Sequence, residues 1–324
     1  MRILITGAAG MLGRKLSARL AAEGSLAGRP IEALDLADLV VAQPPAGLGA
    51  DVAVEAMVAD LAEPAVAADL AARRPDVVFH LAGVVSGEAE ANPAKGYRVN
   101  LDGTRNLLDA LAAVPGRPRV VFSSSIAVFG APFPPIIDDD FHLTPLTSYG
   151  AQKAMGELLL ADHSRRGLID GVGIRLPTIT VRPGRPNAAA SGFFSGIIRE
   201  PLNGEPARLP VPRTVRHPHA SPRAAVGFMV HAAQIDTGAL GPRRNLTMPS
   251  ISVSVAEQIE ALGRVAGPEA VALINEEPDE AVATIVAGWP EAFTAARARH
   301  LGFTSESTYD EIIQVYLDDD RPSA

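Results

Sequence analysis

The chain has 324 residues, 47% hydrophobic and 20% charged, with a formal net charge of -8. That suits a globular protein with room for one large domain plus a lobe, or for two domains. The acidic balance argues against nucleic acid or an anionic membrane as partner, and the lack of cysteine rules out disulfides, thiolate catalysis and thiolate metal sites. No metal is expected. The apolar opening Ile3 to Leu12 is broken by Gly7 and Gly10, unlike a secretory leader, and no run reaches the ~20 apolar residues of a membrane span. A reducing, cytoplasmic compartment is expected.

Short β-branched apolar runs alternate with Ala- and Leu-rich stretches through residue 180 or so, the pattern of an α/β chain with a doubly wound parallel sheet of Rossmann type. Strands are predicted at Arg2 to Thr6, Ile31 to Asp35, Val52 to Val58, Val77 to Leu81, Val120 to Ser123 and Gly173 to Leu176. Helices are predicted at Leu12 to Ala22, Pro64 to Ala72, Gly96 to Ala113 and Ser148 to Ser164. Beyond Pro183, prolines at 201, 206, 210, 212, 218 and 222 disfavour long regular elements. Helical patterns return at Val253 to Val265, Pro290 to His300 and Tyr309 to Leu317. The expected division is therefore 1–183 as a dinucleotide-binding domain and 184–324 as a smaller, loop-rich substrate lobe, with some interleaving.

Gly7-Ala8-Ala9-Gly10-Met11-Leu12-Gly13 follows the first strand and opens a helix. Its glycines permit a tight bend and close approach of a pyrophosphate to the helix amino terminus. Asp35, expected to close the second strand, is placed to accept hydrogen bonds from the adenine ribose hydroxyls and to repel a 2′-phosphate, favouring NAD over NADP. Asp38 is the alternative. Asp60-Leu61 suits either the adenine edge or a helix cap before Pro64. His80-Leu81-Ala82-Gly83 ends a strand with small residues that let a ligand lie against backbone, His80 itself reading as a packing residue. Asn100 interrupts a helical stretch in which asparagine is a poor former.

Ser123-Ser124-Ser125 ends the fifth strand. Successive side chains alternate in direction, so not all three can face one cleft; Ser125 is favoured as the hydroxyl that holds a reacting oxygen. A Gly-x-Ser-x-Gly elbow for nucleophilic catalysis is absent. Downstream, Tyr149 and Lys153 share a helix face at i and i+4, in a chain with only four tyrosines and three lysines. An ammonium beside a phenol favours the phenolate, and such a tyrosine can take a proton from an alcohol.

Together the glycine turn, Asp35, Asp60, His80-Leu81-Ala82, Asn100, Ser123 to Gly130 and Tyr149-x-x-x-Lys153 resemble the extended short-chain dehydrogenase/reductase family, over most of the chain and most strongly to residue 183 or so. The resemblance implies NAD as cofactor, Tyr149 as proton acceptor, Lys153 on the nicotinamide ribose, Ser125 orienting the substrate hydroxyl and Asn100 in a proton relay. It implies contacts to the cofactor from Ser123 and Leu176, and a homodimer.

Departures from the sugar-nucleotide members narrow the substrate. Their Arg-x-x-Asn reads here Arg175-Leu176-Pro177-Thr178, and their Arg-Asp-x-x-His-Val-Asp reads Arg216-His217-Pro218-His219-Ala220-Ser221. A smaller substrate is expected instead, and the resemblance implies a small 2-hydroxy sugar acid. Its carboxylate calls for an arginine fork, with Arg182, Arg185 and Arg216 as candidates, and Ser86 as a hydroxyl contact. The rival readings are an epimerase or dehydratase, a threonine dehydrogenase-like enzyme, and a non-catalytic NAD(H)-sensing protein.

Overall fold

The computed structural model describes residues 1–184 and 190–321. Two compact units emerge, the first from residues 1–128, 145–175 and 226–247, the second from 129–144, 176–225 and 248–324. The break expected after residue 183 thus falls within a segment of the second unit, and the chain passes between units repeatedly.

Seven strands build the sheet of the first unit: β1 (Arg2–Thr6), β2 (Ala33–Asp38), β3 (Ala53–Val58), β4 (Val77–His80), β5 (Arg119–Ser125), β6 (Asp170–Leu176) and β7 (Asn245–Thr247). They lie parallel, in the order β7-β6-β5-β4-β1-β2-β3. Strands buried on both faces read as continuous apolar runs: Ile3, Leu4 and Ile5 of β1 and Val120, Val121 and Phe122 of β5 are all buried. Strand order reverses between β1 and β4, the point at whose carboxyl ends open α/β sheets bind ligands.

Helices α1 (Met11–Glu23), α2 (Pro64–Ala72), α3 (Gly103–Ala113) and α4 (Ser148–Arg165) complete this unit's main frame. Leu70 of α2 and Leu107, Leu108 and Leu111 of α3 pack with Leu4, Val78, Val120 and Phe122 in one core. The single helix expected over Gly96 to Ala113 instead begins as a short turn, Pro93–Gly96, then widens to a π turn over Tyr97–Asp102 before α3. Asn100 sits buried in that π turn, so the poor helix former marks a real irregularity.

In the second unit, helices Gly192–Leu202, Val255–Ala266 and Tyr309–Asp319 share a core that includes Phe194, Ile198, Ile259, Leu262, Ile312 and Tyr316. Strand Arg216–Ala220 pairs antiparallel with Ile251–Ser254 and parallel with Thr178–Ile179. Proline density proved compatible with this order because of where the rings fall. Pro222 opens helix Pro222–Gln234, where a missing N–H costs nothing, and Pro218 lies opposite Ser252 in a stretch not yet paired with Thr178–Ile179. Helix Pro290 to His300 shortens to Ala296–His300. Among the described residues no helix is long and apolar enough to cross a membrane.

Helix α4 starts under tight control. Thr147 caps it, its hydroxyl accepting from the Gly150 N–H at 3.0 Å, and the Ser148 N–H donates to Glu90 at 2.9 Å. A Cβ on Gly150 would lie 2.1 Å from the Ala127 carbonyl oxygen, so α4 can approach the segment after β5 only because no side chain intervenes. Gly150→Ala should therefore destabilise the protein by about 1–3 kcal/mol, as overpacking against backbone does. The urea unfolding midpoint measures it, with Gly227→Ala as the control for mere loss of a glycine at an open position.

Candidate active site

The turn between β1 and α1 sits against the chain leaving β4. Gly7 has φ +73°, and a Cβ there would lie 2.7 Å from both the Leu81 carbonyl carbon and the Ala82 nitrogen. Gly10 N–H closes the bend onto the Gly7 carbonyl at 3.1 Å. Helix α1 then opens at Met11 with no side-chain cap and no acidic residue in its first turn. The N–H groups of Met11, Leu12 and Gly13 therefore form the positive end of a helix without a built-in anion.

Asp35 and Asp38, the two acids expected as candidates for the adenine ribose, sit in different surroundings. Strand β2 runs three residues beyond its expected end, so Asp35 lies mid-strand opposite Leu4 and is buried. Its carboxylate accepts from Arg2 at 3.0 Å and Arg73 at 3.1 Å, which commits it to the sheet. Asp38 closes β2 beside the glycine turn. It accepts from Ala9 N–H at 2.9 Å and Leu39 N–H at 2.6 Å, leaving acceptor capacity at the strand end for a ribose diol. An uncapped helix start, a backbone cradle that a Cβ would fill and a carboxylate at the next strand end suit a dinucleotide lacking a 2′-phosphate.

Asp60 does not cap α2, whose N-cap is Glu63. It accepts from Ala62 N–H at 3.0 Å and from Arg98 at 2.8 Å; burial opposes its ionisation, but these bonds outweigh that and hold its pKa below the usual carboxylate range. Leu61 is buried and its carbonyl takes a hydrogen bond from Asn106 at 3.0 Å. His80 is held between hydroxyls, Nδ1 2.8 Å from Thr6 Oγ1 and Nε2 2.9 Å from Thr104 Oγ1. Because the Thr104 hydroxyl donates to the Asn100 carbonyl at 2.6 Å, Nε2 carries the proton and Nδ1 accepts from Thr6. Burial depresses its pKa to about 3, Lys153 adding to the effect; the ring stays neutral.

Asn100 holds backbone. Its Oδ1 accepts from Val84 N–H at 2.8 Å, and Nδ2 donates to Val84 O at 3.2 Å and to Gln152 Oε1 at 2.7 Å. With both amide hydrogens engaged, the Asn100 side chain fixes the loop after β4 against α4, while its main-chain carbonyl accepts from Thr104 and keeps a second lone pair. Ser86 opens the short helix Ser86–Ala91, which Glu90 ties to the start of α4 through its bond from Ser148.

The three serines each meet a different residue of α4. Ser125 lies near enough to the Tyr149 phenol to act against the rise of its pKa and is itself oriented by Ala127 N–H at 3.1 Å. Ser123 offers its carbonyl, which accepts from Lys153 Nζ at 2.8 Å, while its hydroxyl donates to His80 O at 3.1 Å. Ser124 donates to Glu157 Oε1 at 2.6 Å. Two strand residues span about 6.6 Å and four helix residues about 6 Å, so Ser125 and Ser123 match the Tyr149 and Lys153 spacing. Leu176 sits at the end of β6, half-buried.

Charge in this cluster is finely balanced. Burial pushes the Tyr149 phenol up to about 12, with Ser125 acting the other way. Lys153, expected to lower the phenol pKa, has its ammonium 5.8 Å from the ring centroid, and in the protein without cofactor burial acts in the opposite direction. Burial also pulls Lys153 down to about 8, against the attraction of Glu157. Lys153 Nζ lies 4.9 Å over the Phe122 ring, which stacks on His80. Glu157 and Arg175, neither singled out by sequence, form a buried bidentate pair at 2.9 and 2.7 Å. The recurrence of Tyr149, Lys153 and Glu157 every four residues was the available signal.

Among the arginine candidates, Arg216 donates to Glu257 at 2.8 Å and to Ser252 O at 2.7 Å, so it is already paired. Arg185 lies outside the described residues. Arg182 donates to Ser191 Oγ at 3.2 Å and, among the described residues, pairs with no carboxylate; burial and the neighbouring Arg199 lower its pKa.

Residues 3–239 match the model of the NAD dependent epimerase/dehydratase family. The chain is 48% identical over 323 residues to D-erythronate dehydrogenase of Cupriavidus necator, covering 98% of both chains. It is 38% identical over 320 residues to D-erythronate dehydrogenase of Haemophilus influenzae, covering 99% of this chain and 100% of that one. A solved structure titled as the nucleoside-diphosphate-sugar epimerase from Agrobacterium tumefaciens aligns with a TM-score of 0.96 and 60% identity, over 98% of this chain and 94% of that one.

The two aspartates of β2 can be told apart by calorimetry. Asp38→Ala should weaken NAD binding about tenfold or more, the loss of a charge-assisted contact, with unfolding little changed. Asp35→Asn should lower the unfolding midpoint and leave NAD affinity nearly intact. The reverse pattern would return the ribose to Asp35.

Proposed function

The chain belongs to the NAD dependent epimerase/dehydratase family, and from that premise we propose that it oxidises the C2 hydroxyl of D-erythronate to the 2-oxo acid with Tyr149 as general base. At the coarser level it is an NAD-dependent sugar-acid dehydrogenase, an oxidoreductase acting on CH–OH groups. The observation that carries the finer reading is the convergence of Ser125, Tyr149 and Lys153 where β5 meets α4. Two relatives named D-erythronate dehydrogenase, matched nearly end to end, supply the substrate.

In this reading the α1 amino terminus and the glycine turn hold the pyrophosphate and Asp38 the adenine ribose. Leu61, Leu81, Ala82, Ser123 and Leu176 line the path of the dinucleotide. Lys153 holds the nicotinamide ribose through the ammonium it already points at the Ser123 carbonyl. NAD⁺, when bound, supplies the hydride acceptor and a positive charge. The Ser125 hydroxyl orients the substrate alcohol, and Tyr149 Oη removes its proton. The phenol must lose its own proton first, and because burial alone sets it near 12, catalysis near neutrality requires the cationic surroundings of the loaded site. Arg182, with no acidic partner among the described residues, is the proposed anchor of the carboxylate, and Ser86 a contact to a further hydroxyl.

The epimerase title of the 60% identical structure motivates a second reading, in which NAD is retained through the cycle. Thr178, which stands where a sugar-nucleotide enzyme would carry asparagine, hydrogen-bonds the buried His217 at 2.7 Å. That occupies its hydroxyl within the second unit and favours the sugar acid.

Incubation with NAD⁺ and a panel of three- to six-carbon aldonic acids should give stoichiometric NADH with the four-carbon acid as best substrate. Conversion of a sugar nucleotide without NADH release would establish the epimerase reading instead. Tyr149→Phe should reduce kcat by several orders of magnitude with NADH affinity nearly unchanged. In Lys153→Met the acidic limb of the kcat/KM profile should move to higher pH, because removing a cation raises the phenol pKa and the base then ionises only in more alkaline solution. An unmoved limb would show that the lysine binds ribose without tuning the phenol.

A further inference from the structure

We infer that Glu157 is a positioning residue for Lys153, its clamped carboxylate keeping the ammonium one helical turn away charged inside a buried site. The inference rests on Lys153 as the cation of the proposed active site. Glu157 is completely buried and Lys153 nearly so, and positions i and i+4 of α4 put them on one face. The carboxylate cannot swing away: Arg175 of β6 grips both its oxygens at 2.9 and 2.7 Å, and Ser124 of β5 donates to one of them at 2.6 Å. The ammonium is equally fixed, by its bond to the Ser123 carbonyl at 2.8 Å. Adjacent strand residues thus set the distance between the two charges.

Among the described residues, the other groups around Lys153 leave it without a counter-charge. Tyr149 on its own helix is a neutral phenol in the protein alone, and His80 on β4 is a neutral ring locked between Thr6 and Thr104. Phe122 on β5 contributes only the face of its ring, and Asn100 on the π turn is uncharged. Arg175 acts on the lysine through Glu157, whose negative charge it fixes in place. Consistently, Glu157 opposes the pull of burial that brings Lys153 to about 8.

Lys15, Lys95 and Lys153 are the only lysines in the chain, so protein labelled with ¹³Cε-lysine gives three resonances to titrate. The Lys153 signal is the one missing in Lys153→Met. Wild type should titrate near 8 and Glu157→Gln about half a pH unit or more lower, since loss of a nearby opposite charge disfavours the ammonium. Glu157→Asp, which keeps the charge, should stay near wild type. A Lys153 signal unmoved by Glu157→Gln would overturn the inference. So would an equal displacement in Glu157→Asp, the result of a purely structural role in which any disturbance of the Arg175 clamp counts alike. Should Glu157→Gln fail to fold, the double variant Glu157→Gln/Arg175→Met removes both charges together, leaves no buried ion unpaired, and should show a downward shift smaller than the single variant's, because the loss of Arg175 also removes a like charge; no shift in it would overturn the inference. NADH formation is read separately. A titration that responds in a protein that oxidises no sugar acid defeats the functional reading and spares the coupling; NADH formation with an unmoved titration does the opposite.

Discussion

The seam between β5 and α4 fixes everything else in the first unit's active site. A strand end and a helix face can be matched residue for residue because two strand steps and four helix steps cover nearly the same distance. Ser125 and Ser123 meet Tyr149 and Lys153 in this way, one by its side chain and one by its carbonyl. The match holds only if the helix comes close, and Gly150 against the Ala127 carbonyl allows that approach. Thr147 and Glu90 then fix where the helix begins, so its register along the seam is set from its first turn. The result is a phenol and an ammonium placed by main chain and short side chains, with little rotamer freedom left to lose when substrate binds.

Neighbouring elements support the seam. The π turn brings Asn100 inward, and its amide joins the loop after β4 to Gln152 of α4. His80 spans Thr6 at the end of β1 and Thr104 on α3, locking the strand end that borders the glycine turn. Asn100 and His80 find partners of the right sense on every side-chain polar atom, which keeps a buried network from becoming a liability; Gln152 Nε2 is a buried atom left without one among the described residues. The same logic explains Asp35. An acid in mid-strand is tolerated because Arg2 and Arg73 both reach it.

Much of this was legible in the sequence, because the parallel strands carry unbroken apolar runs and the glycine turn and the Tyr149–Lys153 spacing are local patterns. The errors have physical causes. Strand β2 runs on past Asp35 to Asp38 although acids are rare inside buried strands; the two arginines that neutralise Asp35 come from distant positions that local reading does not reach. Strand β7 escaped notice because three residues, Asn245 to Thr247, carry too little periodicity. Prolines were expected to disfavour long regular elements, whereas Pro222 opens a helix, Pro218 sits in a strand opposite Ser252 and Pro201 lies in the last turn of a helix. Arg175 was read as half of a missing diphosphate motif, whereas its partner was Glu157, eight residues beyond the tyrosine on the same helix face.

Burial lowers the pKa of enclosed bases in both units, and what differs is what faces each of them. His217 and His219 of the second unit meet only neutral partners: Thr178 and the Pro290 carbonyl for one, Thr180 and Gln258 for the other. Desolvation goes unopposed by any anion, and both rings are held neutral, His217 at about 3. Lys153 is as deeply enclosed, yet it descends only to about 8. Its intrinsic basicity accounts for part of that; the rest requires an anion close by, and Glu157 is the one the fold provides. Retaining a buried ion pair where apolar side chains would pack at lower desolvation cost is therefore intelligible here. Hydrophobic replacements for Glu157 and Arg175 would fill the volume but would leave the ammonium with no reason to stay charged, and an uncharged lysine can neither polarise a phenol nor hold a ribose by a charge-assisted bond.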